Sequence, residues 1–430
     1  MQKKAHYFIA IYYFIGFFFL IFAHTFFPVI SPDYYIIFFV ATFTLLIVIA
    51  SFRGKTDIAI ILGFAILLRF AIMMWNVYGR NIYNLPGIGT DTELFFESGK
   101  RIAEDLSLLK EHVYGTYYSK YLGILFNLCG ISYLLASFIN FLCGVLSIAY
   151  MNKALSQFKC LDLSIKKMVL VLFSFAPSNM IICSSMRRES FIIFFITISL
   201  YFIVSWYNSG RTKYWILAIA SVLGASVLHA GVIGILFGYI VLILFYQVNK
   251  GSWEFTLKTI VIGLLLIGLA LLIVFQYRNV FLAKLSFDDE ETIYRMAQRS
   301  PGGAAYLSGI RINSVTDLIK YIPIKVIYFI FSPMPQNWRG INDFIAFALD
   351  ALIYFFFFIY LLIGTFKRKK EPLLFGLCIS AWIPIITYGL ACGNSATAMR
   401  HRLKLLSLLI FVFLLIKQEK SDFAKLKSRG

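Results

Sequence analysis

Charge is scarce in this chain. Of its 430 residues only 14% are charged against 60% hydrophobic, and the mean hydropathy is +0.80. A soluble core cannot enclose that much apolar surface, so a bilayer must solvate it. Acid is scarcer still, with 21 Asp and Glu against 40 Lys and Arg and a formal net charge of +19. The basic residues form no groove-sized stripe with interleaved aromatics, so no nucleic-acid partner is expected. The six cysteines make no CxxC pair and lie mostly in or beside apolar runs, which implies neither a disulfide framework nor a metal centre. No internal repeat is evident, no low-complexity tract beyond Phe355 to Phe358, and no soluble domain.

What is abundant is aromatic bulk, 45 Phe and 26 Tyr. It suits the lipid-facing and interfacial surfaces of an all-α polytopic bundle better than the alternating pattern of an outer-membrane barrel. Windows of about 20 residues place about twelve spans, near 7–27, 34–52, 57–77, 132–152, 168–186, 190–207, 214–229, 231–247, 257–276, 342–364, 372–391 and 402–417. These make a single membrane domain over residues 1–430. The first stretch has a basic start at Lys3 and Lys4 but no small-residue cleavage site, and so is expected to be a retained span.

The loops sort by charge. Lys3-Lys4, Arg53/Lys55, Lys153 through Lys167, Arg211/Lys213, Lys250/Lys258, Lys367 to Lys370 and the tail from Lys417 all fall on one face. By the positive-inside rule that face is cytoplasmic and carries both termini. Two opposite-face segments are too long for simple connections, 76–120 and 277–338. They are expected to fold over the outer surface. Within the second, Leu318 to Phe331 is interrupted by Pro323 and Lys325 and reads as an interfacial or re-entrant helix.

Two arginine clusters then fall on the face where positive charge is disfavoured: Arg187-Arg188 with Glu189, and Arg400-His401-Arg402. The first follows a span containing Pro177 and precedes the next span at once. There a guanidinium can grip a phosphate through two parallel hydrogen bonds, or snorkel to headgroups or pair with Glu189. The second follows the small polar loop Gly393 to Thr397, and is either part of a positive pocket for a diphosphate or a headgroup-binding rim. In the first outer segment Gly87-Ile88-Gly89-Thr90-Asp91 precedes Glu93 and Glu97. Asp91 is placed to take the proton of an attacking hydroxyl or to hold a divalent ion, and equally to cap the helix that follows. His229 is a candidate ligand or an interfacial cap. Arg69, inside the third span, is a candidate ligand or a partner for Asp350.

The Gly89-Thr90-Asp91 turn, Tyr114/Tyr117/Tyr118, Pro177 through Arg188-Glu189 and the closing Arg400-His401-Arg402 resemble bacterial GT-C-fold glycosyltransferases. Arg187-Arg188-Glu189-Ser190, Lys213 and His229-Ala230-Gly231 are similar to the same region of EpsG- and Wzy-type polysaccharide polymerases. The likeness covers most of the chain from Arg69 to Leu415 through short, degenerate motifs. It implies an enzyme of the bacterial cytoplasmic membrane whose partners are a polyprenyl-linked sugar donor, a glycan acceptor, membrane lipids and other polysaccharide-assembly proteins. It also implies Asp91 as base and Arg187, Arg188, Arg400 and Arg402 as diphosphate ligands. Tyr114, Tyr118 and Trp338 would shape the sugar sites. The family's second acidic residue has only Glu93 and Glu97 to match it, so no cofactor is firmly implied and use of Mg or Mn stays open. A flippase for the same lipid-linked glycans, or a scaffold of an assembly complex, would share this composition, but transporters commonly show repeats and short outer loops.

Overall fold

The structure is a computed structural model and describes every residue except 1, 54–55, 86–89, 159–160, 277–302, 311–313, 368–370 and 428–430. The described residues are helical apart from loops and one short hairpin. The helices are α1 (Gln2–Phe26), α2 (Pro32–Phe52), α3 (Asp57–Met74), α4 (Thr90–Glu104), α5 (Tyr117–Cys129), α6 (Tyr133–Leu155), α7 (Leu163–Phe175), α8 (Pro177–Cys183) and α9 (Glu189–Ser209). They continue as α10 (Thr212–Leu228), α11 (Ile235–Phe245), α12 (Leu257–Gln276), α13 (Val315–Phe331), α14 (Ile341–Ala346), α15 (Leu352–Lys367), α16 (Pro372–Ala391), α17 (Ser395–Leu403) and α18 (Leu406–Lys427). The hairpin pairs β1 (Tyr246–Gln247) with β2 (Ser252–Trp253), Tyr246 opposite Trp253.

All twelve expected apolar segments fall largely on these helices. Among the described residues seven helices are long and apolar enough to cross a membrane, and the pair α7–α8, bent by 53°, makes an eighth if it is one span. Stretches 212–228, 230–245 and 406–418 are apolar but shorter, below the ~20 residues that cross a hydrocarbon core without help. These long apolar helices point to a membrane-embedded protein. On α1 the large side chains of Phe8, Ile11, Phe14, Ile15 and Phe18 all face outward, as a lipid-facing helix requires.

The chain forms two compact units. The first comprises residues 1–149 and 170–194, the second 150–169 and 195–430. In the first, Phe39, Phe43, Phe138 and Phe141 pack into an aromatic core, with Phe138 edge-on to Phe39 and Phe43 at 5.8 and 5.9 Å. The expected outer loop is mostly helix here, α4 packed against α5. In the second unit, α18 is buried on all sides from Leu406 to Leu414, the pattern of a central helix. There α11 meets α16 at Gly238, where a β-carbon would lie 2.0 Å from the Gly376 carbonyl. Only a small residue allows that approach.

Candidate functional site

In the first unit the site begins at a broken helix. Pro177 cannot continue the hydrogen-bond ladder of α7, so the chain bends and restarts as the seven-residue α8. Five residues, Ser184 to Arg188, then lie outside any helix before α9 begins at Glu189. Irregular backbone among apolar helices persists only where side chains satisfy it or where it lines a cavity. Here Ser185 and Ser190 both donate from Oγ to the Ile182 carbonyl, at 2.9 and 3.1 Å. Asn140, two turns into α6, donates from Nδ2 to the carbonyls of Ser185 at 2.6 Å and Arg187 at 2.8 Å.

The Arg187 side chain leaves this turn toward α4. It is 2% exposed, its NH1 lies 3.8 Å from Asp91 Oδ2, and neither Nε nor NH1 has a hydrogen-bond partner. Burial draws the guanidinium below its ordinary value, and nearby Glu189 pulls it back up. Asp91 stands one residue inside α4, in the first turn, where the helix dipole favours a carboxylate. Its Oδ1 accepts from the Tyr114 hydroxyl at 2.5 Å. The Asp91 side chain is 25% exposed and Tyr114 is 45% exposed, so this constellation opens at the carboxylate and closes at the arginine.

Tyr114 is aimed by a strained turn. Gly115 has φ +78° and Thr116 φ +49°, a region that costs a non-glycine residue on the order of 1–3 kcal/mol. A β-carbon on Gly115 would also sit 2.5 Å from the Phe95 ring and 2.6 Å from Ser119 Oγ. Gly115→Ala is therefore expected to lower stability by about 1–3 kcal/mol and to loosen Tyr114 from Asp91. Thermal unfolding of the purified protein checks this, and an unchanged midpoint would contradict it. The Phe95 ring meets Tyr114 at 5.4 Å, Tyr118 at 5.2 Å and the Arg188 guanidinium carbon at 5.9 Å, and so packs several members of the site together.

The other expected residues of this unit are placed differently from one another. Glu189 is buried at the start of α9 near Arg187, whereas Glu93 and Glu97 are exposed along α4. Tyr118, expected to help shape a sugar site, is 1% exposed, so its ring faces the interior and not a ligand. Its hydroxyl instead meets the Asn140 amide. Arg69 is wholly buried in α3 with no hydrogen-bond partner on any of its three nitrogens, and Asp350, its expected partner, is bound by Arg402. Gly87 to Gly89 lie outside the described residues, as does 277–302 of the second expected loop.

The second unit holds its own cluster. The His401 ring stacks on Tyr388 at 4.8 Å and meets His229 edge-on at 4.7 Å. Tyr388 OH is 3.2 Å from His229 Nδ1, and buried Lys404 lies 2.7 Å from His401 Nδ1. Arg400 is mostly buried, and burial draws its guanidinium below the ordinary value.

Arg402 overturns its expected role. Its guanidinium is fully buried, bound to Asp350 through Nε (3.0 Å) and NH2, and NH1 donates to the carbonyls of Ile330 at 2.9 Å and Ser332. With Tyr354 beneath it at 5.1 Å, Arg402 is an internal clasp and not a phosphate ligand. Trp338 is half-buried, donates to the Pro333 carbonyl at 3.1 Å and packs on Phe344 and Phe347. That fixes its ring within its own segment.

Lys325 of α13 is buried, donates to the Leu390 carbonyl at 3.0 Å, and is drawn by burial down to about 8. An unfolded lysine titrates near 10.4, so between these values the unfolded chain holds the extra proton and stability rises with pH. The rise of the unfolding midpoint across that window is expected to flatten in Lys325→Met. An equal rise in the variant would assign it to another group.

Sequence reasoning missed Asn140, Tyr388 and Lys404. The available signal for Asn140 was an amide inside an apolar span, a position that is functional by default. Among the described residues no group of three or more His, Cys, Asp or Glu is arranged to hold a metal ion. No protein-family profile, curated protein or solved structure matches the chain.

Proposed function

We propose that the protein is a membrane glycosyltransferase or polysaccharide polymerase. It would use sugars linked to polyprenyl phosphate or diphosphate at the outer face of a bacterial cytoplasmic membrane. The observation that carries this reading is the pairing of a partly exposed carboxylate, Asp91, with a buried arginine that keeps Nε and NH1 unspent at a helix break. An acid that accepts a proton next to a guanidinium that accepts negative charge is what glycosyl transfer from a phosphate requires.

In this mechanism Arg187, helped by Arg188 and the N-terminal end of α9, holds the phosphate of the donor. The acceptor hydroxyl oxygen forms a bond to the anomeric carbon as the bond from that carbon to the phosphate oxygen breaks. The electron pair goes to the phosphate, and the hydroxyl proton goes to Asp91. Tyr114 holds the carboxylate by its 2.5 Å hydrogen bond.

Helix polarity supports the orientation. α6 starts at Tyr133, whose ring lies 4.9 Å from the Arg80 guanidinium carbon, and runs to Lys153 near its other end; α9 starts beside Arg187 and ends before Arg211 and Lys213. On this reading the end of α9 that carries Arg187 is the outer one by the positive-inside rule, and both termini would be cytoplasmic. The finer reading is a GT-C-like bundle of about twelve spans, in which α7–α8, α10, α11, α12 and α18 join the seven long helices.

The test is Asp91→Asn in the native host, with surface-polymer amount and length measured at normal protein level. A loss of about 100-fold or more is expected for removal of a general base. Full-length polymer in normal amount would refute the assignment.

A further inference from the structure

We infer that Asn140 and Tyr118 form a positioning clasp that fixes the Arg187 turn as a preformed anion site, a role that rests on the reading of Arg187 as the phosphate holder. Asn140 is fully buried and faces two carbonyls, those of Ser185 and Arg187, that belong to the break between α8 and α9. Each carbonyl accepts one backbone N–H, that of Ser185 from Arg187 at 2.8 Å and that of Arg187 from Ser190 at 3.2 Å, and the Asn140 amide takes the second acceptor site of each. Both amide protons of Asn140 are used there.

Tyr118 sets which way the amide points. Its hydroxyl is 3.0 Å from Nδ2 and 3.3 Å from Oδ1. With both Nδ2 protons committed to carbonyls at 2.6 and 2.8 Å, the hydroxyl donates to Oδ1. The reversed amide would set an oxygen against two carbonyl oxygens. Tyr118 is held in turn by the rings of Phe95 at 5.2 Å and Phe191 at 6.0 Å. Phe95 also carries Tyr114, the partner of Asp91. One aromatic array thus fixes both the carboxylate and the turn from which Arg187 projects.

The grip is on the backbone of the residue whose side chain is unspent. With the Arg187 carbonyl held, the guanidinium is presented toward Asp91 before any ligand arrives, and little freedom is lost on binding. A turn loosened by ~1 Å forfeits that advantage.

The experiment titrates inorganic pyrophosphate into the full-length protein in detergent, with Arg187→Met as the blank. Asn140→Leu is expected to weaken Arg187-dependent binding at least ~10-fold, and Tyr118→Phe, which leaves the two carbonyl contacts in place, by ~2- to 3-fold. Ser147→Ala is the control for mere stability. It removes a buried hydrogen bond to the Cys143 carbonyl on the same helix, 2.7 Å long, without touching the turn, and should bind as the native chain does. Hydrogen exchange at the amides of 185–190 is expected to accelerate in Asn140→Leu and not in Ser147→Ala.

Native-like affinity and exchange in Asn140→Leu would overturn the clasp, as would an equal loss of affinity in Ser147→Ala. If exchange responds to Asn140 but the native protein shows no Arg187-dependent pyrophosphate binding, the phosphate reading of Arg187 fails and Asn140 is a structural bond alone.

Discussion

Arg187→Met is expected to leave the protein folded, at least as heat-resistant as the native chain, and, on the proposed function, without measurable transfer. The two halves of that result have one cause. The native guanidinium is 2% exposed, has no hydrogen bond at Nε or NH1, lies 3.8 Å from Asp91 at NH1 and has Glu189 nearby. Burying a charge with two of its three nitrogens lacking hydrogen bonds costs stability, and an apolar side chain of similar length removes that cost. A residue kept at the expense of the fold is expected where binding or chemistry needs it. Loss of one preorganised donor to developing charge lowers turnover by roughly 100- to 1000-fold. Unfolding midpoints and surface-polymer yield of the same variant check both halves. A variant that unfolds much earlier than the native protein would mark Arg187 as structural.

Arg402 is expected to behave in the opposite way. Arg402→Met or Asp350→Leu alone strands a charge in a fully buried place, at a cost of about 3–5 kcal/mol. Arg402 also serves the carbonyls of Ile330 and Ser332, so the pair joins α13 and α17 to the segment leading into α15. The double variant Asp350→Leu/Arg402→Met removes both charges together and is expected to recover part of the loss. Thermal unfolding and yield of membrane-extracted protein for the three variants form a double-mutant cycle. Additive losses would mean that the two residues act independently.

The contrast between these arginines shows what the sequence could carry. Both stood out by the same rule, positive charge on the disfavoured side of an apolar span. The rule sees charge placement and nothing of partners. Asp350, the acid that occupies Arg402, lies 52 residues earlier inside an apolar run, where pairing with Arg69 was as plausible as any other. Asp91 and Arg187 were both legible as candidates because each sits at a recognisable feature, a turn before an amphipathic helix and a short break after a proline. Their approach to 3.8 Å across a sequence separation of 96 is a tertiary fact, set by the packing of α4 and α5 and the location of the break.

Helix positions were the most legible part, since hydrophobic runs of this length have few alternatives to helix. Span lengths were less so. α8 and α11 are short because Pro177 and the Gly231 to Gly234 turn interrupt them. The exposure of Tyr114 and the burial of Tyr118, four residues apart, follow from the positive-φ turn at Gly115 and Thr116, which no pattern of hydropathy signals.

The most direct measurement is native mass spectrometry of the full-length protein extracted from membranes of its own host, as the native chain and as Arg187→Met. The proposed function predicts a co-purifying polyprenyl phosphate or diphosphate that carries sugar on the native chain, and its loss from the variant. The absence of any such lipid from the native chain, or equal occupancy of both, would contradict it.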